Sequence, residues 1–169
     1  MPVGRLKSRQ RTLSKKHRYG LFAVMTTTRH EIVFEGSDDG TKWEEYEFRY
    51  KPGDLRRRPP WVAPHQPRLD WQMWFAALSD AASDRWVVAL ARRLLEGSPD
   101  VVGLLAHAPG DGRPPRYVRA LLYDYRFTNR ATLASTGRWW SRQLLGPYLP
   151  PLVLDQAGAI RRADLPSNP

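Results

Sequence analysis

The alternation of apolar and polar positions predicts a β-rich beginning. Tyr19 to Thr28 is aromatic and β-branched, continuously apolar from Leu21 to Met25, and reads as a strand buried on both faces. A second strand is expected near residues 30–36. Asp39-Gly40 then signals a hairpin. From Lys42 to Tyr50 the period is two. Trp43, Glu45, Glu47 and Arg49 share one side, and Glu44, Tyr46, Phe48 and Tyr50 the other. The second side is aromatic and should turn inward, with Trp43 covering the hairpin end. Lys51-Pro-Gly-Asp54 closes this section.

The stretch from Arg56 to Leu78 has two halves. Four prolines between Arg56 and Pro67 exclude a helix or a central strand and impose a stiff extended arm. Asp70 then stands where an N-cap belongs, followed by Trp71, Trp74, Phe75 and Leu78 at helical spacing. This aromatic face is expected to be buried against the sheet that carries Tyr46 and Phe48.

Further on, Ser83 or Asp84 can cap a helix with Trp86, Leu90 and Leu94 on one face, ended by Glu96-Gly97. Ser98-Pro99 restarts a helix with Val101, Val102, Leu104 and Leu105 as its apolar side. Residues 108–115 are loop. Residues 116–128 alternate and are rich in aromatics, which favours a long strand over a helix. Residues 129–136 are polar. Gly137 to Leu145, with Trp139 and Trp140, reads as a short helix, and residues 146–152 as rigid extended chain. No internal repeat is visible. The expected fold is α+β: an antiparallel sheet with strands near 19–28, 30–36, 42–50 and 116–128, packed with several short helices. A β-sandwich with helical insertions is the alternative. Residues 19–152 form one domain, residues 1–18 a basic disordered tail, and residues 153–169 a frayed C-terminal tail.

Composition changes this picture little. The 169 residues, 41% hydrophobic and 26% charged, suit one globular domain. No apolar run is long enough to cross a membrane. Without cysteine there is no disulfide, thiol chemistry or cysteine metal site. The net charge of +10 suggests nucleic acid, but Arg5, Lys7, Arg9, Arg11, Lys15, Lys16 and Arg18 supply +7 of it, leaving +3 elsewhere. A basic arm for nucleic acid, including Arg56 to Arg58, is the weaker reading, and no nucleic-acid partner is expected.

Catalytic signatures are absent from the sequence. It holds no phosphate-binding glycine loop, nucleophile elbow or His-Glu-x-x-His pair. His17, His30, His65 and His107 lie far apart, and Asp38 and Asp39 lack the spacing of a calcium loop, which favours an Asx-turn. No catalytic residue, metal or cofactor is expected. An enzyme using His65, Arg68 and Asp70 is the sharper competing reading of the arm.

Four segments together point further: Tyr19-Gly-Leu-Phe-Ala-Val-Met-Thr-Thr27, Glu31-Ile-Val-Phe-Glu-Gly-Ser-Asp-Asp-Gly40, Tyr46 to Asp54, and Arg57-Arg-Pro-Pro-Trp-Val-Ala-Pro-His-Gln-Pro-Arg-Leu-Asp-Trp-Gln-Met-Trp-Phe-Ala-Ala-Leu78. With Arg116 to Thr128 and Trp139 to Leu152, they resemble the C-terminal soluble domain of the lipase maturation factor family, over roughly residues 19–152. The resemblance implies a chaperone-like, non-enzymatic, protein-binding domain that assists folding or assembly of a client such as a lipase. Eukaryotic members are membrane proteins of the endoplasmic reticulum with this domain on the lumenal side. This chain has no counterpart of their membrane-spanning region, so no membrane insertion is expected of it. Partner-binding residues are expected on the arm: Arg57, Arg58, Trp61, His65, Gln66 and Arg68. The alternative function is a β-rich module that binds carbohydrate or lipid without catalysis, because residues 35–43 resemble a turn of discoidin-type domains.

Overall fold

Strand β1 (Arg29–Ser37) is the spine of the protein in its computed structural model, which describes residues 28–62, 64–65, 67–79 and 84–165. It is buried from Glu31 to Ser37. After it come β2 (Glu44–Glu45), β3 (Glu47–Phe48), α1 (Arg68–Ala76), α2 (Arg85–Leu95), α3 (Pro99–Val102), β4 (Leu105–His107), β5 (Tyr117–Phe127), α4 (Arg130–Thr136), β6 (Trp140–Leu154) and β7 (Ile160–Arg162). Five strands make an antiparallel sheet in the order β2-β1-β5-β6-β7, and β3 and β4 make a small second sheet. The fold is therefore α+β. The expected strand at 19–28 lies outside the described residues apart from Thr28.

One face of the large sheet carries the main core. Ile32 and Phe34 of β1, Val118 and Ala120 of β5, and Leu149 and Leu152 of β6 meet Met73 and Ala76 of α1 and Val87, Leu90, Ala91 and Leu94 of α2. The period-3.6 stripe of α2 is what the sequence prescribes. Tyr148 fastens α1 to the sheet by donating its hydroxyl to the Ala76 carbonyl at 3.0 Å. The opposite face buries a smaller cluster of Val33, Tyr125 and Trp140 beneath Leu55.

Several expectations are corrected. The alternating stretch 42–50 is not one strand. Glu44–Glu45 pairs with β1, whereas Glu47–Phe48 pairs with β4. Tyr46 sits at the corner, buried, with its amide donating to the Phe34 carbonyl at 2.9 Å. Tyr46 and Phe48 reach the same core although the chain changes sheets, whereas Tyr50, expected inward with them, is 39% exposed.

Residues 137–145 are not a helix. Gly137, at φ 68°, ends α4, and β6 begins at Trp140 opposite Phe127. The helix is instead the preceding segment, Arg130–Thr136, in the polar stretch. Asn129 caps it, its side-chain oxygen accepting the Thr132 amide at 2.8 Å, and none of its residues is buried. Local capping alone marks it, without an apolar stripe. The C-terminal tail is also more ordered than its lack of pattern suggests. β6 runs to Leu154, Asp155 accepts the amides of Ala157 and Ala159, and β7 pairs back onto β6.

Asp70 does not cap α1. Pro67 holds that position with φ −58°, and Asp70 lies inside the helix, buried. Nor is the aromatic face the core face. Met73 is fully buried, whereas Trp71, Trp74 and Phe75 are half-buried and Leu78 is half-exposed beyond the helix end. The three aromatics pack on one another instead, with ring centroids 5.1 to 5.5 Å apart. Small Ala76 and flexible Met73 let α1 approach the sheet closely, which turns the bulky rings to the flank.

Candidate functional site

The proline arm is held at both ends by the same short segment. At its C-terminal end, one carboxylate oxygen of Asp70 accepts the amides of Tyr50 at 2.9 Å and Lys51 at 3.0 Å. At its N-terminal end, the Arg57 guanidinium donates to the carbonyls of Phe48 at 2.8 Å and Lys51 at 2.6 Å and pairs with Glu47 at 3.0 Å. Trp140 donates its indole N–H to the Arg57 carbonyl at 3.2 Å, and Leu55 accepts the amides of Trp139 and Trp140. Tyr125 donates its hydroxyl to the Gly53 carbonyl at 3.0 Å. The arm is a strap drawn across the end of the sheet. Where the prolines cannot donate backbone hydrogen bonds, side chains hold the strap instead: Arg57 donates at one end and Asp70 accepts at the other.

Beneath the strap runs a groove in two chambers. The larger, about 230 Å³, is walled by Tyr50, Pro67, Trp71 and Trp74. The smaller, about 140 Å³, is walled by Arg57, Arg58, Pro59, Pro60, Phe127 and Trp140. Arg29, Tyr50, Lys51 and Val62 line both. Phe127 is largely exposed and stacks on Trp140 at 4.2 Å.

The floor is charged. Lys51 is 5% exposed, 3.5 Å from Glu31 and within 3.2 Å of the Pro52 carbonyl, with its ammonium 4.9 Å from the Phe48 ring. Arg29 holds the other Glu31 oxygen at 2.8 Å. Two cations thus share one buried carboxylate. Burial pulls the Lys51 ammonium below the ordinary lysine range, and Glu31 only partly offsets this.

On the sheet's flank, Arg142 pairs with Glu45 and donates to the Tyr125 hydroxyl at 3.1 Å. Burial pushes Tyr125 up to about 12. Burial works against the Arg142 charge, but these two acceptors outweigh it and raise its value. Arg119 pairs with Glu35 and lies 4.0 Å over Trp43, whose indole N–H donates to the Gly40 carbonyl. These pairs are saturated and structural. The discoidin-like turn is likewise self-contained: Asp39 accepts the amides of Thr41 and Lys42, as an Asx-turn should.

The expected site residues fall out unevenly along the strap. The Arg57 guanidinium is engaged in the anchor just described. Arg58 is exposed, 5.6 Å over Trp139. Trp61 is 88% exposed. His65 and Arg68 are exposed, and Gln66 lies outside the described residues. Asp70 is buried on backbone amides and does not join His65 and Arg68 in an acid–base site. Among the described residues no cluster of His, Asp or Glu is placed to hold a metal, and no helix is long and apolar enough to cross a membrane. Sequence reasoning missed Arg29, Tyr50 and Lys51 as groove residues. Their only signal was an ordinary strand end and turn.

Comparison with known proteins agrees with the resemblance. Residues 16–150 match the family described as lipase maturation factor C-terminal domain. Human lipase maturation factor 2 is 48% identical over 142 residues, which cover 80% of this chain and 20% of that protein. Bovine lipase maturation factor 1 is 44% identical over 142 residues, 79% of this chain and 25% of that protein. Human lipase maturation factor 1 is 42% identical over 146 residues, 82% and 26% respectively. The chain thus spans a fifth to a quarter of these relatives' length. No solved structure matches it.

Proposed function

We propose a function from one premise: this chain belongs to the lipase maturation factor family, whose C-terminal domain it carries. It is a chaperone-like, non-catalytic module that grips a client protein such as a lipase while the client folds or assembles. The contact surface is the outer side of the strap, with Arg58, Trp61, His65 and Arg68. Arg57 serves as its frame.

The observation that carries this reading is Trp61, 88% exposed on a chain pinned at both ends. A large amphipathic ring on a rigid support gains contact area with little loss of freedom on binding. Tryptophan and arginine are also the side chains that most often dominate binding surfaces. The relatives' name supplies the client class, and the absence of a convergent acid–base pair among the described residues fits a binding role.

The test is capture of a purified lipase by the full chain and its variants. Trp61→Ala is expected to weaken capture by about tenfold or more with the unfolding midpoint unchanged. Unchanged capture by Trp61→Ala would sink the proposal.

A further inference from the structure

We infer that the groove beneath the strap binds an extended acidic segment carrying aromatic or aliphatic side chains. The inference rests on the proposed client reading and names the chemistry of what the client inserts. Trp61 points outward and Val62, the next residue, lines both chambers, so the strap has a partner face and a groove face. A bound segment would therefore meet Trp61 on top and the groove beside it.

Charge selects the occupant. The two chambers are lined by four cations, Arg29, Lys51, Arg57 and Arg58, and by one carboxylate, Asp70. Asp70 is turned to the backbone amides of Tyr50 and Lys51. Glu31 lies under the floor, 1% exposed, already shared by Arg29 and Lys51. Arg57 has Glu47 as its partner, but among the described residues Arg58 has no carboxylate partner, and neither does Arg68 beside Pro67. The groove thus presents uncompensated positive charge over aromatic walls. Carboxylates on the incoming segment supply the missing partners, and its apolar side chains enter the chambers against Tyr50, Trp71 and Trp74. Such complementarity sets which sequences are accepted and how fast they arrive.

The experiment measures fluorescence anisotropy of labelled extended peptides with the full chain. One peptide alternates Phe and Leu with Asp and Glu. A second replaces the acids with Lys and Arg, and a third replaces Phe and Leu with Ser. The first is expected to bind at least about tenfold more tightly than either control, and to weaken when salt is raised to about 1 M, where charges are screened beyond about 3 Å. Arg58→Glu is expected to weaken it by about tenfold. Equal binding of the basic or the serine peptide overturns the inference. A photo-crosslinking residue in place of Val62 is expected to label the acidic peptide. Labelling of residues 19–27 of the same chain instead would make the protein its own occupant and also overturn it. Trp61→Ala separates the two readings. If that variant still captures lipase, the client surface fails. If the parent captures lipase but ignores the acidic peptide, only the groove reading fails.

Discussion

Asp70, in the first turn of α1, accepts the Lys51 amide at 3.0 Å across nineteen positions of sequence, and with the same oxygen accepts the Tyr50 amide. This contact closes the strap into a loop. Asp70→Ala leaves both amides without a partner and is expected to cost about 2–3 kcal/mol. Asp70→Asn keeps an acceptor oxygen and should cost clearly less. Urea unfolding of the two variants checks this, and equal costs would show that the carboxylate's charge matters more than its geometry.

Arg57 fastens the other end. Its guanidinium holds two carbonyls and Glu47. Arg57→Ala is expected to cost about 2–3 kcal/mol, and Arg57→Lys most of that, because an ammonium cannot span the same fork. Faster amide exchange confined to residues near the strap would accompany the loss. A lipase-capture defect at unchanged stability would instead place Arg57 on the partner face.

On α1, Met73 and Trp74 should rank opposite to their size. Met73 is fully buried, so Met73→Ala is expected to cost about 2–5 kcal/mol. Trp74 is half-buried among neighbouring rings, and Trp74→Ala should cost about 1–2 kcal/mol, less than the burial of a whole aromatic core residue. Denaturant unfolding decides the order. A larger loss at Trp74 would return the aromatic face to the core.

Gly40 has φ 75°, and a Cβ there would lie 2.7 Å from the Leu165 side chain. Gly40→Ala is expected to cost about 1 kcal/mol or more. The clash is with a flexible tip, so the backbone term should dominate. Leu165→Ala in the same chain would then rescue only a small part of the thermal shift.

Lys51 predicts a pH dependence. Folding lowers its proton affinity, so between the lowered value and the ordinary lysine value of about 10.4 the unfolded chain binds more protons and stability rises with pH. Below that window the ammonium is charged in both states and the burial penalty is fully present. Tyr46 and Tyr125, whose values burial raises, act in the opposite sense above about pH 10. Lys51→Met removes the burial penalty at neutral pH, which opposes the loss from leaving Glu31 to Arg29 alone, and it should lose the rising limb. Parallel stability curves for parent and variant would refute the role of Lys51.

The sequence by itself determined what depends on near neighbours. The hairpin through Asp39 and Gly40 was legible because turn chemistry is local. The inward aromatics Tyr46 and Phe48, the long strand β5 and the stripe of α2 were legible because their side-chain period matches the element. The proline strap was legible because proline dictates its own backbone. Its specific residues also carried the family resemblance.

Tertiary structure decided what distant partners compete for. Trp71, Trp74 and Phe75 have the spacing of a core face, but Met73 and Ala76 fit closer to the sheet, and only packing can choose between two faces of one helix. Asp70 has the look of a cap, yet two amides nineteen and twenty positions away claim its carboxylate. Gly137 to Leu145 has no decisive local preference, and the free edge of β5 draws it into a strand. The groove exists only because β1, the turn at Lys51, the strap and α1 converge. Arg29 and Lys51 acquire their meaning from Glu31 and from the aromatic walls, most of which, apart from Glu31 near Arg29 and Tyr50 beside Lys51, lie far from them along the chain.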